Sequence, residues 1–167
     1  MNTPTLPGST VPVVLDDLRT PADARAFREL NEQWITEIFA LEDEDRRQLE
    51  DPVGQLVEPG GAVLVARKDD AVVGCVGIAR THDGVVEIVK MAVDPRHRGH
   101  GTGRRLLLAA IERARALGAV RIELESNRKL DAAVHLYEEL GFRHLGHDEY
   151  EPGPYARADV AMALDLA

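Results

Sequence analysis

The chain is short of most features that assign a function class early. Among its 167 residues there is one cysteine, Cys75, so a disulfide framework is excluded. Cys75 lies within Val72-Val73-Gly74-Cys75-Val76-Gly77-Ile78, where a thiol is expected to be a buried, inert strand residue rather than a nucleophile. No uninterrupted apolar run approaches ~18 residues, so no membrane span is expected. No basic segment followed by an apolar run opens the chain, so no signal peptide is expected and the cytoplasm is the expected compartment. Positive charge is in deficit, with a formal net charge of -9. That balance argues against nucleic acid as a general partner, because phosphate contacts need a broad basic face. The histidines lack metal-ligand spacing: there is no H-E-x-x-H, and His97 and His100 belong to a glycine-rich loop. No G-x-S-x-G is present either, and neither internal repeat nor linker divides the chain.

What remains reads as a globular domain. Hydrophobic residues make up 44%, and the length suits one core. A Pro/Thr/Ser/Gly-rich N-terminus over 1–10 is expected to be flexible, with a single domain over 11–167. Val11 to Leu15 can form a first strand. Thr20-Pro21-Ala22-Asp23 marks a helix start, with Thr20 as N-cap and Pro21 at the first helical position. The stripe Phe27, Leu30, Trp34, Ile38 and Leu41 follows at helical spacing. A short helix over Glu44 to Glu50 ends at Asp51-Pro52. Nine carboxylates crowd residues 29–51: Glu29, Glu32, Glu37, Glu42, Asp43, Glu44, Asp45, Glu50 and Asp51. They read either as a solvated helix surface or as a negative rim for a cationic amine.

Strands are expected at Ala62 to Lys68, Ala71 to Ala79 and Val85 to Val93, with turns at Asp69-Asp70 and His82-Asp83-Gly84. These read as an antiparallel meander. Leu107, Ala110, Ile111, Ala114 and Leu117 then define a helix, stopped by Gly118. Val120 to Glu125 is a strand expected to run parallel to 85–93 through the helical crossover. A helix over Leu130 to Leu140 follows, with Gly141 as its C-terminal stop. Two last strands are expected over Arg143 to Tyr150 and Ala158 to Leu166.

The centre of the chain is Arg96-His97-Arg98-Gly99-His100-Gly101-Thr102-Gly103-Arg104-Arg105. It stands between an apolar strand and a helix. The first N–H groups of a helix have no partner within it, so strand–glycine turn–helix makes an anion site. Pro95 to Ile111 holds no carboxylate while Arg96, Arg98, Arg104 and Arg105 are present. Cations there oppose the helix dipole, which reads as a site awaiting an anion. No Lys follows the glycines as a P-loop requires. Gly99, Gly101 and Gly103 run G-x-G-x-G, not the dinucleotide-binding G-x-G-x-x-G.

Arg96-x-x-Gly99-x-Gly101 resembles motif A of the GNAT superfamily of acyl-CoA N-acyltransferases, [Q/R]-x-x-G-x-[G/A]. Ala133-x-x-Leu136-Tyr137-x-x-x-Gly141-Phe142 is similar to that superfamily's second signature. The resemblance implies an α/β (α+β) GNAT fold. Its mixed central sheet would have about six to seven strands, splayed between the strand at 85–93 and the strand at 120–126. About four helices would flank it.

The same resemblance implies acetyl-CoA as co-substrate, without a metal, and acetyl transfer to a primary amine by direct attack in a ternary complex. Arg98, Gly99, His100, Gly101, Thr102, Gly103 and Arg104 would hold the pyrophosphate. Met91, Ala92 and Val93 would run beside the pantetheine, with an N–H near Met91 or Ala92 for the developing oxyanion. Ala133 and Tyr137 would also meet the coenzyme. Asn127 is either a pantetheine partner or a turn and cap residue. Tyr137 would return a proton to the leaving thiolate, unless it is simply a core aromatic. Glu87, five residues before Ala92, would take the amine proton, unless it merely begins an edge strand. Glu123 and Glu125 are the alternative carboxylates. Trp34 and Glu87 fall on the acceptor side. A small-molecule amine is preferred over a protein lysine, and a homodimer accords with superfamily habit. The competing class is a non-catalytic acyl-CoA sensor on the same fold.

Overall fold

The computed structural model describes residues 12–166; the N-terminal segment 1–10 and Val11 lie outside the described residues. The elements are β1 Val14–Asp17, α1 Pro21–Ile38, α2 Asp43–Glu50, β2 Ala62–Lys68, β3 Ala71–His82, β4 Val85–Val93, α3 Thr102–Ala116, β5 Arg121–Ser126, α4 Asp131–Glu139, β6 Arg143–His144 and β7 Val160–Asp165. A π-helical turn, Val53–Val57, and a 3-10 turn, Pro95–His97, link them. Among the described residues no helix is long and apolar enough to cross a membrane.

The seven strands form one sheet in the order β1-β2-β3-β4-β5-β7-β6. Only β4 and β5 are parallel, as a helical crossover requires. The alternation of β2 divides the core in two. Leu64 and Ala66 pack with Leu106, Leu107, Ala110 and Ala114 of α3. Val63 and Val65 point the other way, to Phe27 and Ile35 of α1. Period-two alternation thus places α3 on one face and α1 on the other.

The start of α1 and the end of α4 are capped as their sequences imply. Asp23 N–H donates to Thr20 Oγ1 at 3.1 Å, and Thr20 N–H donates back to Asp23 at 3.2 Å, closing a capping box. At the end of α4, Phe142 N–H donates to Tyr137 O and Gly141 N–H to Glu138 O. This is a Schellman motif, with Gly141 at φ +98°.

Two local expectations need correction. Helix α1 ends at Ile38, before Leu41; of the expected stripe Phe27 is fully buried and Leu30, Trp34 and Leu41 pack partly buried beside it, while Asp23, Asn31 and Ile35 complete the buried face. Asn31 tolerates the core because its amide donates to Phe27 O, while its oxygen accepts from Trp34 Nε1 at 3.0 Å. The strand expected over Arg143 to Tyr150 shrinks to β6, because Glu149 draws the chain into a turn by accepting from Gly146 N–H and Arg143. The π-helical turn after Pro52 had no sequence expectation; its Leu56 is buried against α1.

Candidate active site

The site begins where the sheet fails to close. β4 and β5 pair only through Val85↔Arg121, Val86↔Ile122 and Glu87↔Glu123. Beyond Glu87 the two strands separate, and β5 pairs with no further residue of β4; Val93 O accepts from Arg98 Nε at 3.3 Å. On its other side β4 carries a bulge. Cys75 pairs with Ala92 and Gly77 with Val89, so Lys90 and Met91 together oppose Val76. Lys90 takes a left-handed φ of +53°, a conformation that costs a β-strand lysine about 1–2 kcal/mol.

The separation opens a cavity of about 620 Å³. One wall is Met91, Ala92 and Val93 of β4; the opposite wall holds Asn127, Ala133 and Tyr137. At one end lies the turn into α3. Gly99 and Gly101 have φ of +80° and +79°, and a Cβ on either would meet nothing within 4 Å. They give the turn its left-handed bends and leave open space above it. Arg105 N–H donates to Gly101 O, so the N–H groups of Thr102, Gly103 and Arg104 precede the first intrahelical bond and face outward from the helix end.

Arg98, Gly99, Gly101, Thr102 and Gly103 line the cavity together with His97. His100 and Arg104 do not: His100 is exposed, and Arg104 forms an ion pair with Glu139 of α4. The arginine cluster is also less needy than its sequence suggests. Arg96 pairs with Asp94 at 3.0 Å, and Arg105 donates to Val13 O at 2.7 Å. Only Arg98 of the four turns into the cavity. The helix end and Arg98, rather than four free guanidinium groups, are what the cavity offers an anion.

Asn127 adopts the turn role with its side chain. Its Nδ2 donates to Arg157 O at 2.6 Å, and its Oδ1 accepts from Lys129 N–H at 2.8 Å. It lines the cavity with both amide atoms engaged. Tyr137 projects from α4 with its ring against Phe142, centroids 5.8 Å apart. Burial pushes its phenol up to about 12, so it stays protonated and able to donate at neutral pH.

Past Met91 the cavity continues toward α1, where Trp34, Glu37, Ile38 and Phe39 meet Glu87, Lys90, Tyr155 and Arg157. Burial, and then the neighbouring charge of Glu125, raise Glu87 to about 7. Lys90 Nζ donates to Asp45 at 2.7 Å and to the Tyr155 hydroxyl at 2.9 Å. Arg157 grips Asp45 with two bonds of 2.6 and 2.7 Å. Sequence reasoning did not assign Lys90, Tyr155 or Arg157 a role. The available signal was a lysine among the apolar residues of β4, three residues from Glu87.

The acidic stretch 29–51 mostly does not form a rim. Glu32 pairs with Arg28, Asp43 with Arg46 and Glu44 with Arg47. Asp45 is wholly buried. Of the nine carboxylates, Glu37 alone lines the cavity. The described residues contain no His/Cys/Asp/Glu group arranged to hold a metal.

A splayed mixed sheet with a glycine turn and an open helix N-terminus at the start of its crossover helix defines an acyl-CoA N-acyltransferase fold. Residues 24–142 match the family model for the acetyltransferase (GNAT) family, and the chain belongs to that family. It is 33% identical over 133 residues to the uncharacterized N-acetyltransferase YjgM of Escherichia coli (strain K12), spanning 76% of this chain and 78% of that one. The fold is similar to a GNAT acetyltransferase of Staphylococcus aureus, with TM-score 0.85 and 18% identity, over 93% of this chain and 100% of the other. It is also similar to yncA of Salmonella typhimurium, solved with its cofactor acetyl-CoA: TM-score 0.72, 24% identity, over 93% and 94% of the two chains.

Proposed function

We propose that the chain transfers an acetyl group from acetyl-CoA to the primary amine of a small molecule, by direct attack within a ternary complex. The observation that carries this reading is one cavity joining an anion cradle, an open strand edge, a protonated phenol and a carboxyl raised to about 7. The N–H groups at the start of α3 and Arg98 bind the diphosphate. Ala133 and the β4 edge that β5 leaves unpaired flank the pantetheine arm. Bound there, acetyl-CoA supplies an activated thioester. A backbone N–H near Met91 or Ala92 meets the oxyanion as charge develops on the carbonyl. Glu87 is the base: at about 7 it is ionised in a useful fraction of molecules and still basic enough to accept the ammonium proton. Tyr137 donates to the departing thiolate. Tyr155 and Arg157 wall the far end, which suits a small amine better than a lysine on a protein surface.

The test is thiol release from acetyl-CoA across a panel of amines. Tyr137→Phe is expected to lower kcat about 10²-fold or more while acetyl-CoA affinity stays within about twofold. Unchanged turnover would refute the acid role. Tight acetyl-CoA binding with no amine consumed by the wild type would overturn the enzyme reading.

A further inference from the structure

The acceptor end holds an ionic cluster that the transfer reaction does not use. Lys90 and Arg157 line the cavity, whereas Asp45 and Glu42, their counter-ions, do not. Asp45 sits behind them at 0% exposure and is saturated: it accepts from Lys90, twice from Arg157, and from Glu42 N–H at 2.9 Å. Glu42 stands further out, accepting from Arg157 at 3.3 Å and from Ala156 N–H at 2.9 Å. The cavity surface therefore presents two cations whose balancing carboxylates face away.

Between the cations stands Tyr155, its ring 4.5 Å from Lys90 Nζ and 4.6 Å from the Arg157 guanidinium carbon. Its hydroxyl accepts from Lys90 and keeps its own proton to donate. Lys90 makes two hydrogen bonds of the three that an ammonium can donate. Its side chain is 4% exposed, and the strained bulge at φ +53° is what aims it there. Glu87 lies three residues away on the same strand and lines the same cavity. A carboxyl group and an oriented cationic cluster thus share one small compartment. This arrangement complements a molecule carrying an amine and a carboxylate on one carbon. A polyamine or a simple alkylamine would bring the two cations no carboxylate.

We infer that the acceptor is a free amino acid, its amine at Glu87 and its carboxylate held by Lys90, Tyr155 and Arg157. Lys90 and Arg157 are then specificity-determining residues. The inference rests on the acetyl-transfer reading above and names the substrate class for that site. Arginine supplies planar donors and lysine a compact charge, the pair suited to an incoming carboxylate.

The experiment measures kcat/KM for amino acids with apolar, acidic and basic side chains. Each is set beside its carboxamide and the amine left by decarboxylation. The expected result is a preference of about 10- to 100-fold for the amino acid. The carboxamide's amine is less basic and so more available at a given pH, which means basicity cannot create that preference. Lys90→Met is expected to collapse the acid-to-amide ratio toward one. The ratio is read within one variant, so loss of folded protein moves both arms alike. Equal or better turnover of amide and alkylamine by the wild type overturns the inference and leaves the acetyl-transfer reading standing. An acid preference unchanged in Lys90→Met also overturns the role of Lys90. Acetyl-CoA binding without turnover of any amine overturns both readings.

Discussion

Replacing Glu87 with Gln is expected to stabilise the protein and disable it together. Glu87 is raised from 4.5 to about 7, chiefly by burial and then by Glu125. In the unfolded chain the group ionises near 4.5. Between that pH and about 7 the unfolded state releases the proton while the folded state retains it, so stability falls as pH rises through this window. Above about 7 both states are ionised and the penalty is constant. The shift corresponds to roughly 3 kcal/mol, and partial solvation of the side chain reduces this to about 1–3 kcal/mol. Gln imitates the protonated acid and avoids the penalty. At pH 8 Glu87→Gln is therefore expected to melt about 2–10 °C above the wild type, and at pH 4 the two are expected to coincide. Its kcat/KM is expected to fall about 10²–10⁴-fold, and the rise of kcat/KM through pH 7 expected of the wild type is expected to vanish with it. Thermal melts at the two pH values and thiol-release kinetics across pH measure both arms. A melting difference independent of pH would refute the buried-carboxyl argument. A retained pH step in the variant would refute Glu87 as the base.

Gly101→Ala is expected to lower CoA affinity at least about tenfold by calorimetry, since its φ of +79° resists a side chain and the new methyl enters the space above the cradle; unchanged affinity would remove the cradle argument. The accompanying stability loss is expected to stay near 1 kcal/mol, because nothing lies within 4 Å of the new atom. Asp45→Asn is expected to cost about 3–5 kcal/mol in urea unfolding, because it leaves Lys90 and Arg157 facing each other without their shared carboxylate. Adding Lys90→Met in that background is expected to recover part of the loss, and no recovery would show that the cation is not the cause. Leu107→Ala, at 0% exposure in the α3 core, is expected to cost about 2–5 kcal/mol by the same assay, with CoA affinity per folded molecule retained; a loss below 1 kcal/mol would contradict the packing described.

The parts legible in the sequence are those decided by near neighbours. Val85 to Ala116 reads as strand, glycine turn and helix because β-branched residues, left-handed glycines and apolar i, i+3/i+4 spacing all act locally. The Gly141–Phe142 stop of α4 is legible for the same reason. What stayed hidden depends on partners far along the chain. Val85 to Val93 reads as an ordinary strand, and nothing local marks Lys90 as its bulge. The bulge is stabilised by Asp45, 45 residues earlier, and by Tyr155 in the last loop. The arginines around Gly99 look unneutralised until α4 brings Glu139 to Arg104. The acidic run 29–51 looks like a field until Glu32, Asp43 and Glu44 pair with arginines one turn away and Asp45 goes inward. Pairwise electrostatics between distant segments leaves no periodic trace in one sequence.

The seam between β4 and β5 has a thermodynamic corollary. Three register pairs stitch the four-stranded block to the three-stranded one, so a molecule lodged in the gap supplies hydrogen bonds that neighbouring strands would otherwise exchange. Reagent and scaffold then draw on the same backbone groups. At a hundredfold excess over its dissociation constant, such a ligand adds about 2.7 kcal/mol to the folded state, concentrated where the two blocks are least joined.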